Sequence, residues 1–280
     1  MKQRLITSVV ISVLTLYLMY SQGPLLSIVL SMIGLWGTWE LFSLINKIPC
    51  IIKLVGACAH GGNNDSIPSV TEKARHDWLL SIIALLMPIS AVLLACNGLI
   101  YSNYLPIYVM AAIVITLFYA VDMLATSRAL AMHASITTLG LFWTSMISFY
   151  WLNQTHQRQL IYVVLLTAIS DMMGYFVGKS IGGAKPFKQL SPNKTEFGTL
   201  AMLITPAIIA GYLAYQEYIQ LNGFWLSIGL ISLIGDLWMS ALKRTAQVKD
   251  TGALLPGHGG ILDRLDSHIL VLSIAWFVLQ

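Results

Sequence analysis

NGFWLSIGLISLIGDLWMSALKR, residues 222–244, runs for twenty-one residues before its first basic side chain and carries one carboxylate, Asp236. A helix needs about 20 apolar residues to cross a bilayer core, whereas a barrel strand needs only about 9 to 11. A run of this length therefore predicts a membrane-spanning helix. The whole chain agrees: 57% of its 280 residues are hydrophobic, 10% are charged, and mean hydropathy is +0.75. Soluble domains carry roughly a quarter charged residues. This chain could not cover a soluble surface, so the expected fold is all-α, a polytopic membrane protein.

Working outward, nine such segments can be drawn, at about 4–22, 25–46, 78–101, 104–124, 129–151, 160–180, 198–218, 222–242 and 268–280. The first has no small-residue cleavage site behind it and reads as a retained span. With a cytoplasmic N-terminus, fifteen of the sixteen basic residues fall on the cytoplasmic side, and only Arg158 lies outside. This asymmetry supports nine spans and that orientation. It also turns the ion-rich loops 179–197 and 243–267 to the cytoplasm together. Residues 1–150 are expected to form a transmembrane scaffold of about five helices, and 151–280 the catalytic region. The three cysteines, Cys50, Cys58 and Cys96, have no CxxC spacing and indicate neither a disulfide framework nor a zinc site.

Asp236 sits roughly 10 Å along its helix from Lys243. An ionisable group at that depth needs a partner or a watery cavity. Ser240 and Lys243 follow at i+4 and i+7, on the same face. A salt bridge and a metal carboxylate are both open readings. Asp263 and Asp266 follow Gly259-Gly260 at the start of the last helix. Dipole compensation accounts for one acid there, but not for two acids with Arg264 and a glycine pair suited to anion approach. Magnesium takes one or two carboxylates plus water and phosphate oxygens, which Asp236 and Asp263 would supply. Lys243, Arg244, Lys249 and Arg264 suit phosphate groups. His258 suits phosphate positioning or a plain loop hydrogen bond.

The other loop repeats the pattern. Asp171 precedes Lys179 by two turns, and Gly174 and Gly178 permit close helix packing. Lys185, Lys188 and Lys194 fit a positive-inside signal or attraction to anionic lipids, while Ser191-Pro-Asn-Lys194-Thr195 suits a nucleotide or phosphate contact. Glu40, inside the second span, is expected to be paired or beside a helix-lined cavity.

Ser240-x-x-Lys243-Arg244, Lys249-Asp250, His258-Gly259-Gly260 and Asp263-Arg264-x-Asp266 together resemble the signature of the phosphatidate cytidylyltransferase family. The likeness extends to Asp171 with Tyr175, to Ser191-Pro192 with Lys194-Thr195, and to Gly235-Asp236-Leu237. It implies an enzyme joining CTP and phosphatidic acid into CDP-diacylglycerol with release of pyrophosphate. It further implies Mg2+ on Asp236 and Asp263, with a monovalent cation such as K+ beside it. Phosphates would lie on Lys243, Arg244, Lys249 and Arg264, and Ser191, Lys194 and Thr195 would close over substrate. Asp171, Ser240, Asp250, His258, Gly259, Gly260 and Asp266 would shape the pocket. The resemblance also suggests a homodimer; short loops and the lack of extra domains point to a bacterial inner membrane, the charge pattern turns the site to the cytoplasm, and no nucleic-acid partner is expected. Two departures stand out: Met239 replaces an expected glutamate, and Glu196-Phe197 reverses the usual order. Either would suit a divergent paralogue acting on another phospholipid or prenol. A non-catalytic lipid-binding protein is a further alternative. A transporter would place acids near the bilayer midplane in two related halves, whereas these ions gather at one end of the C-terminal half.

Overall fold

The computed structural model describes residues 15–21, 24–45, 47, 127–188, 190–252, 254 and 259–279. Among the described residues six helices are bounded, beside a helical stretch at 15–20: α1 Pro24–Ile45, α2 Ser127–Thr155, α3 Gln157–Ser180, α4 Glu196–Tyr215, α5 Gly223–Thr245 and α6 Leu262–Val278. No strand occurs among the described residues. The fold is all-helical, and α1, α3, α4 and α5 are each long and apolar enough to cross a membrane. The apolar runs expected at 25–46, 129–151, 160–180, 198–218, 222–242 and 268–280 coincide with these helices. Those at 78–101 and 104–124 lie outside the described residues, as do the three cysteines, and only 15–20 of the first run is described, as helix.

Local chemistry sets the helix ends. Asn222 caps α5, its Oδ1 accepting from the backbone N–H of Phe224 at 3.1 Å and of Trp225 at 3.4 Å. Thr195 caps α4, its hydroxyl accepting from Gly198 N–H at 3.2 Å. Such caps satisfy N–H groups that a helix's first turn leaves unpaired. By contrast, α6 starts at Leu262, ahead of the apolar run expected from 268, and Ile261 before it supplies no side-chain cap.

Small residues let the helices approach. Where α3 crosses α4, a methyl on Gly198 would lie 2.6 Å from the Gly174 carbonyl and 3.0 Å from Gly178 Cα. Ser170 adds a hydrogen bond across the same crossing, donating to the Met202 carbonyl at 2.7 Å. Inside a bilayer, close packing and such bonds replace the hydrophobic drive between helices, each bond contributing about 0.6 kcal/mol. The expected packing role of Gly174 and Gly178 is what the crossing shows. Helix α5 packs against α3, α4 and α6. It meets α6 at Gly235, where a methyl would fall 2.9 Å from the Asp266 carbonyl.

Helix α1 leans on α2 through Gly34 and Gly37, which face the rings of Trp143 and Phe142. Trp143 Nε1 donates to Thr38 Oγ1 at 3.1 Å, fixing the rotation of α1. That rotation carries Glu40 inward. The buried core continues through Phe142, Leu160, Trp225, Ile228 and Trp276, while Trp39, Ile204, Ile208 and Leu226 stay exposed. Large apolar side chains on outward faces are what a lipid-facing surface requires.

Candidate functional site

Two lysine–aspartate pairs tie the loop before α4 to α5, and α5 to the start of α6. Lys194 Nζ lies 2.8 Å from Asp236 Oδ2, and Lys243 Nζ lies 2.8 Å from Asp263 Oδ1. Lys194 comes from the loop before α4, so Asp236 is paired between elements rather than within its own helix. Ser240, one turn on, reaches Asp236 Oδ1 with a long bond of 3.4 Å. Lys243, on the same face of α5, turns instead to α6.

Asp236 opens on a cavity of about 290 Å³ between α3, the loop at 191–195, α4 and α5. Asp171, Ser191, Lys194 and Thr195 line it with Asp236, and Tyr175 and Met202 supply less polar wall. Five of the sequence-derived site residues therefore share one cavity. Asp171 is buttressed from two further helices: Ser232 of α5 donates to its Oδ1 at 3.1 Å and Ser267 of α6 to its Oδ2 at 2.5 Å. Thr195 contributes chiefly by capping α4, which holds the adjacent Lys194 at the cavity edge.

The second pair is enclosed. Asp263 Oδ2 accepts from Thr251 N–H at 2.8 Å, Thr251 Oγ1 at 3.0 Å and Gly260 N–H at 3.0 Å, while Oδ1 holds Lys243. Burial is the largest single influence on this carboxyl and pushes its pKa up. The hydrogen bond and charge of Lys243, with the N–H groups of Gly260 and Thr251, outweigh burial and hold it below its ordinary value of 3.8. Gly259 has φ +84°, a backbone conformation that glycine adopts at little cost. A side chain there would also press on Asp263 Oδ2, at 2.8 Å.

Asp266 links the two regions: it feels the charges of Asp236, Lys243 and Asp171, and its Oδ1 accepts from Ser267 N–H at 3.0 Å. Arg244, Lys249, Asp250 and Arg264 lie exposed around this end of the molecule. Arg244 donates to the carbonyls of Leu190 at 3.4 Å and Val248 at 3.3 Å, tying the two loops together. His258 lies outside the described residues. Met239 is buried and faces a separate apolar cavity of about 200 Å³, with Trp238, Ile234 and Leu270 in its wall and Asp266 at its border. The residue standing where a glutamate was expected thus points away from the Asp236 cavity.

Two residues at the enclosed pair carry no weight in the sequence pattern. Thr251 is buried at 1% exposure and reaches both Asp263 and Glu40. Glu40 was expected to be paired or near a cavity; its carboxylate accepts from Ile261 N–H at 2.9 Å and Leu262 N–H at 3.1 Å. The depth of Glu40 in an apolar run was the available signal, but its partners lie more than two hundred residues away and nothing local names them.

The arrangement can also be tested against a divalent cation. Among the described residues no three acidic or histidine side chains converge as ligands. Magnesium does not require three, because waters and phosphate oxygens complete its shell around one or two carboxylates. Asp236 suits this best, since its Oδ1 accepts only the long bond from Ser240. Asp263 has both oxygens engaged and becomes a ligand only by exchanging Lys243. The donors are hard oxygens, and the set fits.

Helical throughout its described residues, with four helices long and apolar enough to cross a membrane and with the Lys194–Asp236 pair lining a cavity between them, the chain is an integral membrane protein with an ionisable site. The model of the cytidylyltransferase family matches residues 2–280, and the chain belongs to that family. It is 38% identical over 133 residues to the phosphatidate cytidylyltransferase of Bacillus subtilis, covering 46% of this chain and 49% of the relative. It is 37% identical over 116 residues to the phosphatidate cytidylyltransferase of Helicobacter pylori, covering 39% and 42%. An uncharacterized protein of Escherichia coli matches at 37% over 125 residues, covering 43% and 42%. The chain thus spans about half the length, or less, of each of these curated relatives.

Proposed function

We propose that this protein is a phosphatidate cytidylyltransferase, joining CTP to phosphatidic acid to give CDP-diacylglycerol and pyrophosphate. The observation that carries the reading is the Asp236–Lys194 pair lining a cavity, connected to the buried Asp263–Lys243 pair through Asp266, which feels the charges of both Asp236 and Lys243. Family membership and the names of the relatives agree with it.

In this reaction a phosphate oxygen of phosphatidic acid attacks the α-phosphorus of CTP. The bond from that phosphorus to the bridging oxygen breaks, and its electrons leave with pyrophosphate. Charge spreads over phosphoryl oxygens in the transition state, so positioning and electrostatics are the main work of the protein. Lys194 and Lys243 are already held near the reacting space by Asp236 and Asp263. They turn to phosphate oxygens as substrate arrives, while exposed Arg244, Lys249 and Arg264 collect the triphosphate and the lipid headgroup. Mg2+ would be held by Asp236 and Asp263, with K+ beside it, and would neutralise phosphoryl charge. Asp171, fixed by Ser232 and Ser267, sets the wall opposite Lys194.

The charge pattern supports nine spans, a cytoplasmic N-terminus and a site at the cytoplasmic face, and the short loops suit a bacterial inner membrane. That placement lets a soluble nucleotide meet a lipid anchored in the leaflet, and the family resemblance adds a homodimer. The test is turnover by purified protein in mixed micelles with labelled CTP and a panel of phosphatidic acid, lysophosphatidic acid and prenyl phosphates. CDP-diacylglycerol and pyrophosphate in equal amounts, with phosphatidic acid preferred, is the expected result. Preference for a prenyl phosphate, or CTP left intact with every lipid, overturns the reading.

A further inference from the structure

We propose that Glu40, on α1 in the N-terminal half, is a positioning residue for the site, acting through Thr251 and the first turn of α6 on Asp263. The inference rests on the reading above for its catalytic consequence, but its geometry stands by itself.

Helix α6 has no cap of its own, since Ile261 offers no side-chain acceptor. Glu40 supplies one from a distant part of the chain. Its Oε1 accepts from Ile261 N–H at 2.9 Å and its Oε2 from Leu262 N–H at 3.1 Å. Two of the N–H groups that a helix start leaves unpaired are met by one carboxylate, whose negative charge also suits the positive end of the helix. A third contact joins Glu40 to the site. Thr251 Oγ1 lies 3.2 Å from Glu40 Oε2 and 3.0 Å from Asp263 Oδ2. A hydroxyl has a single hydrogen, so Thr251 can give it to Glu40 while its backbone N–H holds Asp263 Oδ2 at 2.8 Å, and one residue ties both carboxylates together. Asp263 in turn fixes Lys243. A continuous chain of contacts therefore runs from α1 through Thr251 and α6 to the lysine on α5.

Burial makes this chain stiff. Glu40 is 4% exposed and Thr251 1% exposed, so neither exchanges its partners freely with water, and an acceptor removed here leaves buried N–H groups unpaired. The same packing accounts for Gly260. A methyl on that residue would collide with the Thr251 hydroxyl and with the Glu40 carboxylate, whose Cδ would lie 2.7 Å away. Gly252 faces the opposite flank, where a methyl would sit 2.8 Å from Glu40 Oε1. Two glycines on the C-terminal loop are thus shaped around a side chain from α1. The site depends on a residue that the division into scaffold and catalytic region leaves out.

Glu40→Gln tests the proposal with little change in volume. The amide keeps one acceptor but presents an NH2 group where the backbone N–H groups point. Misplacement of a reacting group by about 1 Å can cost roughly 100-fold. Glu40→Gln is therefore expected to lower kcat by roughly 10- to 100-fold, with KM for CTP within about twofold and an unfolding temperature that is lowered but leaves the protein folded at the assay temperature. Amide exchange at residues 260–264 should quicken at the same time. Thr251→Val alone should lower kcat similarly, and the double variant should lose little more than either single one, because both break one chain of contacts. A wild-type kcat in Glu40→Gln, a loss that only follows the unfolded fraction, or unchanged exchange at 260–264 overturns the proposal. If wild-type protein turns over none of the lipid panel, the reaction reading falls. Exchange at 260–264 then decides alone: quickening upholds the placement of Asp263 by Glu40, and no change overturns it.

Discussion

The two lysine–aspartate pairs have the same length and different surroundings. Asp236 and Lys194 meet at 2.8 Å with their side chains 26% and 17% exposed, at the edge of a cavity, and the other carboxylate oxygen is almost unclaimed. Asp263 and Lys243 meet at 2.8 Å with 5% and 12% exposure, and the second oxygen of Asp263 takes three further donors. An ion pair at a wet edge contributes about 1 kcal/mol at most. Breaking a buried one by removing a partner costs about 3 to 5 kcal/mol, because the remaining charge is stranded. The first pair is therefore suited to opening readily for substrate, and the second to holding α5, α6 and the loop between them in register until phosphate and a cation take the places of its partners.

The largest effect should come from the enclosed pair. Asp263→Ala should abolish turnover, by roughly 1,000-fold or more, and should also destabilise the protein by about 3 kcal/mol, read as a lower unfolding temperature in micelles. Near-wild-type stability would show that the pair is not structural. Asp236→Asn should separate the two properties. Turnover should fall by roughly 100-fold, while unfolding shifts by less than about 1 kcal/mol; a large stability loss would erase the contrast. Lys194→Met is expected to raise KM for CTP by about tenfold, near 1.4 kcal/mol of lost phosphate contact, with a smaller change in kcat. An unchanged KM would mean that Lys194 stays on Asp236 throughout.

Acid gives the smallest and most selective effect. The folded pKa of Asp263 lies below its ordinary value of 3.8. Its stabilising contribution is then present in full well above 3.8 and is lost as pH falls through the lower folded value. Amide exchange at 260–264, after correction for intrinsic rates, should quicken in a step below about 4. Burial and the charges of Asp236 and Asp171 push Asp266 up to about 7, so a step near neutral belongs to that group, and absence of the step below about 4 would mean that Asp263 does not govern this loop.

The legibility of these regions differs for a physical reason. Helix positions were readable because about twenty apolar residues in a row admit few alternatives, and α5 appears at Gly223–Thr245 where 222–242 was expected. The Asp236 cavity was largely readable too, since Asp171, Ser191, Lys194 and Thr195 all line it. Partner choice was less so. Helical spacing places Asp236, Ser240 and Lys243 on one face, yet Lys243 reaches across to Asp263 and leaves Asp236 to Lys194. Spacing fixes a face but not which neighbour that face meets. Glu40 shows the limit most plainly, because a carboxylate in an apolar run announces a partner without identifying it. Met239 is the converse case: a departure from the family pattern that suggested a divergent paralogue lies against an apolar cavity.

The central claim is that Asp236 is the carboxylate kept available for a cation and its phosphate, while Asp263 is held in place by Lys243, Thr251 and Gly260. Mn2+ titration followed by electron paramagnetic resonance, on purified protein with saturating CTP, tests this without relying on turnover. Wild-type protein should bind one Mn2+ per chain, Asp236→Asn should lose that binding, and Glu40→Gln should retain it with weakened affinity. Equal Mn2+ binding by wild-type protein and Asp236→Asn would contradict the account.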